Sequence, residues 1–115
     1  MKSVLKLFTY KEARLRTTIE IPFKAVCPIP DPPRYYHATL TLSYSSHEVF
    51  DYNEVASVIH SYCKEANRSV EDVVRFAMSL IRNFLGDVAS FCTVDVPQQE
   101  GHLHVTVTLY GHECV

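Results

Sequence analysis

The apolar residues of this chain change period twice, from two to about 3.6 and back to two, and that order restricts the fold to a strand, strand, helix, helix, strand, strand arrangement. From Leu15, residues Leu15, Thr17, Ile19, Ile21 and Phe23 alternate with Arg16, Thr18 and Glu20, as a half-buried strand requires. Pro22 lacks a ladder donor and marks that strand as a sheet edge or a bulge. His37 to Tyr44 alternates again, with Leu40, Leu42 and Tyr44 opposite Thr39, Thr41 and Ser43, and predicts an antiparallel partner. Val55, Val58, Ile59 and Tyr62 then form a helical stripe that predicts a helix over Asn53 to Glu65. Ser69, followed three residues later by Asp72, has the spacing of a capping box and opens a second stripe through Val70, Val73, Val74, Ala77, Ile81 and Phe84. Gly86 ends it. Val88 to Val96 and His102 to Tyr110 read as two further strands, joined by a turn over Pro97 to Gly101. Residues 1–13 fit a short strand and a helical turn equally well and are left as an uncertain N-terminal segment.

These elements predict one α+β domain over residues 1–115: a four-stranded antiparallel sheet in ββααββ order, with both helices on its apolar face. The other face, lined by Thr39, Thr41, Ser43, Thr106 and Thr108, is polar but scarcely charged, which suits the water-filled interior of an oligomeric barrel. Hydrophobic residues at 47% and charged residues at 21% are those of an ordinary folded domain. A formal net charge of −2 excludes a generic nucleic-acid binder, so an RNA contact must be local or built by assembling subunits. Arg14, Arg16, Arg34, Arg68, Arg75 and Arg82 would supply its basic rim. No apolar run approaches membrane-spanning length, and Met1 to Phe8 is too short and too charged for a signal peptide. A cytoplasmic location and no membrane partner are expected. Cys27, Cys63, Cys92 and Cys114 show no CxxC pair, so reduced thiols are expected; Cys63 and Cys92 fall at core positions.

The chemistry concentrates in Ala25-Val26-Cys27-Pro28-Ile29-Pro30-Asp31-Pro32-Pro33, where four prolines restrict the geometries open to Cys27 and Asp31. A neighbouring anion disfavours a thiolate, so a carboxylate beside a cysteine suits proton transfer rather than thiol activation. The pair fits addition of sulfur to a nitrile or imine, with Cys27 as nucleophile and Asp31 as general acid and base. The same loop also fits an inert sheet-edge connection with Cys27 as a small buried hydrophobe. Glu71, in the first turn of the second helix, either favours the helix dipole or accepts both donors on the amidine-like edge of a guanine or pterin ring. Glu48 and Asp51 are further candidates for substrate binding. His102 and His104 point the same way on a strand, and with His37 they form an alternative zinc site. Histidines on a polar sheet face are more often hydrogen-bonded or solvated, and no metal is expected.

Strand order and loop together make the chain resemble the tunnelling fold, a family of oligomeric barrels that bind purine and pterin rings at subunit interfaces. Within it the chain is similar to the nitrile reductases of queuosine biosynthesis and, more closely in length, to the QueF-like archaeosine synthases. Val26-Cys27-Pro28-Ile29 followed by Pro30-Asp31 looks like the family's Cys-Pro loop, and Ser69-Val70-Glu71-Asp72 like its His-Glu segment, with Val70 in place of histidine. Asp31 comes sooner after the cysteine than in the reductases. Asp51-Tyr52-Asn53-Glu54-Val55-Ala56 lacks the lysine of the reductases' cofactor segment, so no NADPH and no other cofactor is expected. The resemblance implies conversion of 7-cyano-7-deazaguanine in tRNA to archaeosine through a thioimidate on Cys27, with ammonia or another amine as donor. It also implies a homo-oligomer, a pentamer or decamer. Two other readings stay open: a zinc-dependent pterin enzyme of the same fold resembling 6-pyruvoyl-tetrahydropterin synthase, and a non-catalytic oligomeric binding module.

Overall fold

The computed structural model describes residues 5–28, 34–97 and 103–111. Its elements, in chain order, are β1 (Leu7–Thr9), β2 (Leu15–Cys27), β3 (Arg34–Ser46), β4 (Glu48–Phe50), α1 (Tyr52–Glu65), α2 (Val70–Leu85), β5 (Ser90–Val96) and β6 (Val105–Tyr110). Strands β2, β3, β5 and β6 form an antiparallel sheet in the order β2-β3-β5-β6, with both helices inserted between β3 and β5 in sequence. Pro22 lies on β2, an edge strand, where its missing N–H costs the sheet little.

Period-two alternation decides which residues meet the helices. Ile21, Phe23, Leu40, Leu42, Tyr44, Cys92 and Val94 point to the covered face and are buried. Against them α1 places Val55, Ile59 and Cys63, and α2 places Val73, Val74, Ala77, Met78 and Ile81. Each such side chain of Val, Leu or Ile size contributes about 1.5–3 kcal/mol by leaving water.

Both helices start where the sequence supplies a cap. Asp51 Oδ1 accepts the backbone N–H groups of Asn53 and Glu54, at 3.0 and 3.3 Å. Ser69 and Asp72 form the reciprocal capping box, at 3.1 Å to Ser69 Oγ and 2.9 Å to Asp72 Oδ2. At the far end of α2, Gly86 adopts φ 77° and its N–H reaches the Arg82 carbonyl, a conformation that favours glycine.

The structure differs from the sequence reading in four places. The last strand begins at Val105, so Leu103 and His104, expected within it, precede it. Part of the uncertain segment 1–13 is strand: β1 pairs antiparallel with β4 in a separate two-stranded sheet beside the start of α1. Ala25 to Cys27 belong to β2 and not to a loop, because Cys27 still pairs with Arg34 across the hairpin. Ser43, expected to face water, is buried because the register sets it between Thr18 and Phe91 on the helix-free face.

A candidate active site at the β2–β3 end of the sheet

The last turn of the β2–β3 ladder carries Cys27 on the helix side of the sheet, two residues beyond Ala25, which pairs with Tyr36. Cys27 is partly buried against the core, whereas Cys63 and Cys92 are fully within it. Burial pushes the Cys92 thiol up to about 12, and burial also raises Cys63, with Arg68 opposing. Of the three described thiols, Cys27 alone combines a rigid strand position with access from outside.

Tyr36 is the centre of this end of the fold. Its ring is buried edge-on to Phe23, with centroids 5.9 Å apart, and its hydroxyl donates to the Arg68 carbonyl at 2.9 Å. Burial first, and then the fields of Cys63, Cys27, Asp72 and Glu71, hold that hydroxyl well above the usual phenol range.

The connection between the helices closes the same end. Arg68 N–H donates to the Val26 carbonyl at 2.8 Å, next to Cys27, and the capping box starts α2 one residue later. Glu71 is exposed in the first turn of α2, so its carboxylate is free to receive a ligand's donors. Asp72 is not, since Oδ2 already caps the helix.

The sequence-predicted residues thus separate into groups. Cys27, next to the Val26 carbonyl that the Arg68 N–H holds, and Glu71, three residues after Arg68, lie at the same end of the fold as Tyr36. Asp31 lies outside the described residues, in the segment joining β2 to β3. Glu48 and Asp51 lie at the opposite end: β3 has 13 residues between them and the Cys27 pair, about 40 Å at 3.3 Å per residue. Asp51 there lines a cavity of about 260 Å³ with Phe8, Tyr10, Phe50 and Tyr52, while its Oδ1 caps α1.

His37 and His104 occupy the helix-free face. His37 borders a shallow apolar cavity of about 430 Å³ with Pro22, Thr39 and Pro97. His104 Nε2 lies 2.6 Å from Asp95 Oδ1, which also accepts the Thr106 hydroxyl at 2.8 Å. Those two bonds, His104 first, hold the Asp95 carboxyl below its ordinary range. His102 is outside the described residues, and among the described residues no three His, Cys, Asp or Glu side chains gather to hold a metal ion.

Two residues of this site carry no signal in the sequence reading. Tyr36 lies just before the predicted strand start at His37, although its parity with Leu40 and Leu42 would have placed it on the covered face. Arg68 read as one cation of a basic rim, yet it is paired with Glu65 at 2.8 Å and lies 3.7 Å over the Tyr62 ring. No family model and no curated protein matches the chain.

Proposed function

We propose that the protein is a nitrile-amidating enzyme acting on 7-cyano-7-deazaguanine carried in tRNA, and that its product is the amidine, archaeosine. The observation that carries the proposal is that the main chain of Arg68 ties the ends of β2 and β3 to the start of α2, through the Val26 carbonyl beside Cys27 and the Tyr36 hydroxyl, with Glu71 in the helical turn that follows. A nucleophile and a planar hydrogen-bond acceptor at one site fit an electrophilic group borne on a purine-like ring.

Glu71 accepts the two donors of the ring's amidine-like edge and orients it. Cys27 gives its thiol proton to Asp31 as its sulfur adds to the nitrile carbon: a C–S bond forms, one C–N π bond breaks, and the nitrogen takes the proton from Asp31. The product is a covalent thioimidate. Ammonia adds to the same carbon and gives a proton to Asp31, the C–S bond breaks, and the departing sulfur takes that proton back as the amidine is completed. Nitrile and ammonia together account for every atom of the product, so the reaction needs no hydride. The zinc-dependent reading is less well supported, because His104 is engaged by Asp95.

In this proposal subunits associate through the open edges β2 and β6 into a barrel, a pentamer or decamer, in the cytoplasm. Glu48 and Asp51, about 40 Å along the sheet from Cys27, then serve the site of a neighbouring subunit.

The test is intact-protein mass spectrometry after incubation with 7-cyano-7-deazaguanine, as free base and within tRNA, for wild type and Cys27→Ala. The expected result is a mass increase equal to the nitrile compound in the wild type alone, discharged by ammonium ions to the amidine. No Cys27-dependent adduct with either form would overturn the proposal.

A further inference from the structure

Arg68 joins three elements at the end of the fold that carries Cys27 and Glu71. Its N–H holds the Val26 carbonyl of β2 at 2.8 Å, and its carbonyl receives the Tyr36 hydroxyl of β3 at 2.9 Å. Its Nε donates to the Tyr62 carbonyl at 2.9 Å, and Nη2 to Glu65 Oε1 at 2.8 Å, both in the last turns of α1. The guanidinium also covers the Tyr62 ring, whose other contact is a parallel stack on Phe76 of α2 at 3.9 Å.

The main-chain bonds require only a residue with an N–H at position 68. What the arginine side chain adds is a fixed course for an irregular segment. The chain leaves α1 at Ala66 in an extended conformation and must reach the cap of α2 at Ser69. The ion pair with Glu65 adds little, because Glu65 is 70% exposed. The Nε bond and the stacked guanidinium are sheltered and directional, and a lysine cannot reproduce them.

We infer that Arg68 is a positioning residue, which sets the separation and orientation of Cys27 relative to Glu71. The adjacent residue of its β2 partner is Cys27, and Glu71 follows three residues after it. The inference rests on the proposed reading of those two side chains as one site.

Arg68→Met and Arg68→Lys test it, each compared with wild type at a temperature where circular dichroism shows the chain folded. Adduct formation with the cyano base needs orientation, and its limiting rate should fall about 100-fold in both variants. Alkylation of Cys27 by iodoacetamide needs none and should stay within about twofold of wild type, as should the fraction folded. Adduct rates within about twofold of wild type would overturn the inference.

A second arm does not depend on the reaction. In a Glu71→Cys, Cys114→Ser background, a short bis-maleimide should link Cys27 to the introduced thiol, with yield falling several-fold when Arg68→Met is added. An unchanged yield would overturn the positioning role. No adduct in the wild type, together with this dependence in the Glu71→Cys, Cys114→Ser background, would refute the proposed reaction and leave Arg68 as the clamp.

Discussion

Replacing Tyr36 with phenylalanine removes one hydroxyl and nothing else from the centre of the candidate site. The ring keeps its edge-on contact with Phe23, so no cavity of consequence opens. What is lost is the 2.9 Å bond to the Arg68 carbonyl. A neutral bond of this kind is worth about 1 kcal/mol net. For a domain of this size, about 1 kcal/mol lowers Tm by about 4 °C. The pH dependence is more telling. Tyr36 is raised above its ordinary value of 10.0, by burial first and then by Cys63, Cys27, Asp72 and Glu71. Below that value both states are protonated and the stabilisation is fully present. As pH rises past it, the unfolded chain loses the proton first, so wild type loses stability that the phenylalanine variant does not. The slope is about 1.4 kcal/mol per pH unit, so an advantage of about 1 kcal/mol vanishes within about one unit above 10 and then reverses. Urea unfolding of both proteins from pH 7 to 11 is the assay. Equal stability at neutral pH would show that the hydroxyl does not hold the connection, and a gap constant to pH 11 would show that Tyr36 titrates normally in the fold.

Ser69→Ala removes the acceptor for the Asp72 N–H and should cost about 1 kcal/mol, seen as a Tm lower by about 4 °C, whereas Ser69→Thr should restore most of it. Cys92, pushed up to about 12 from 9.0 by burial, makes the fold less stable as pH rises from 9 towards 12, by roughly 4 kcal/mol across that window. Cys92→Ala should flatten this part of the alkaline limb in urea titrations, and an unchanged slope would contradict the burial argument.

The larger elements were legible because they repeat a pattern. Val73, Val74, Ala77 and Ile81 share a face on α2 only if the chain is helical there, and the Ser69–Asp72 spacing fixes where it begins. β1 and β4 were not, since strands of three residues are too short to show a period. The proline run hid the end of β2 for another reason. Its prolines follow Cys27, and β pairing with Arg34 carries the strand up to them. At the site, Cys27 and Glu71 were visible as chemistry. Their placement at the same end of the fold was not, because it depends on Val26, Tyr36 and the main chain of Arg68. Hydrogen bonds of the backbone leave no mark on the identity of the residue that makes them.

Where the thiol sits bears on what the proposed reaction requires. A thioimidate is open to water as well as to ammonia, and water in excess would take it to a thioester, so the site must admit an amine while excluding bulk solvent. The interior of one chain supplies half of that shelter. Cys27 is partly buried against the core on the helix side of the sheet, but β2 is an edge strand and its outer flank has no strand beside it among the described residues. Deeper burial would not serve, as Cys92 illustrates: it is sheltered, but burial raises its thiol to about 12 and suppresses the thiolate. A nucleophile at the margin, completed by a second copy lying along β2, reconciles reactivity with dryness. The proposed assembly is on this argument a requirement of the chemistry, because the edge strand that carries the nucleophile is the one that a neighbouring subunit would cover.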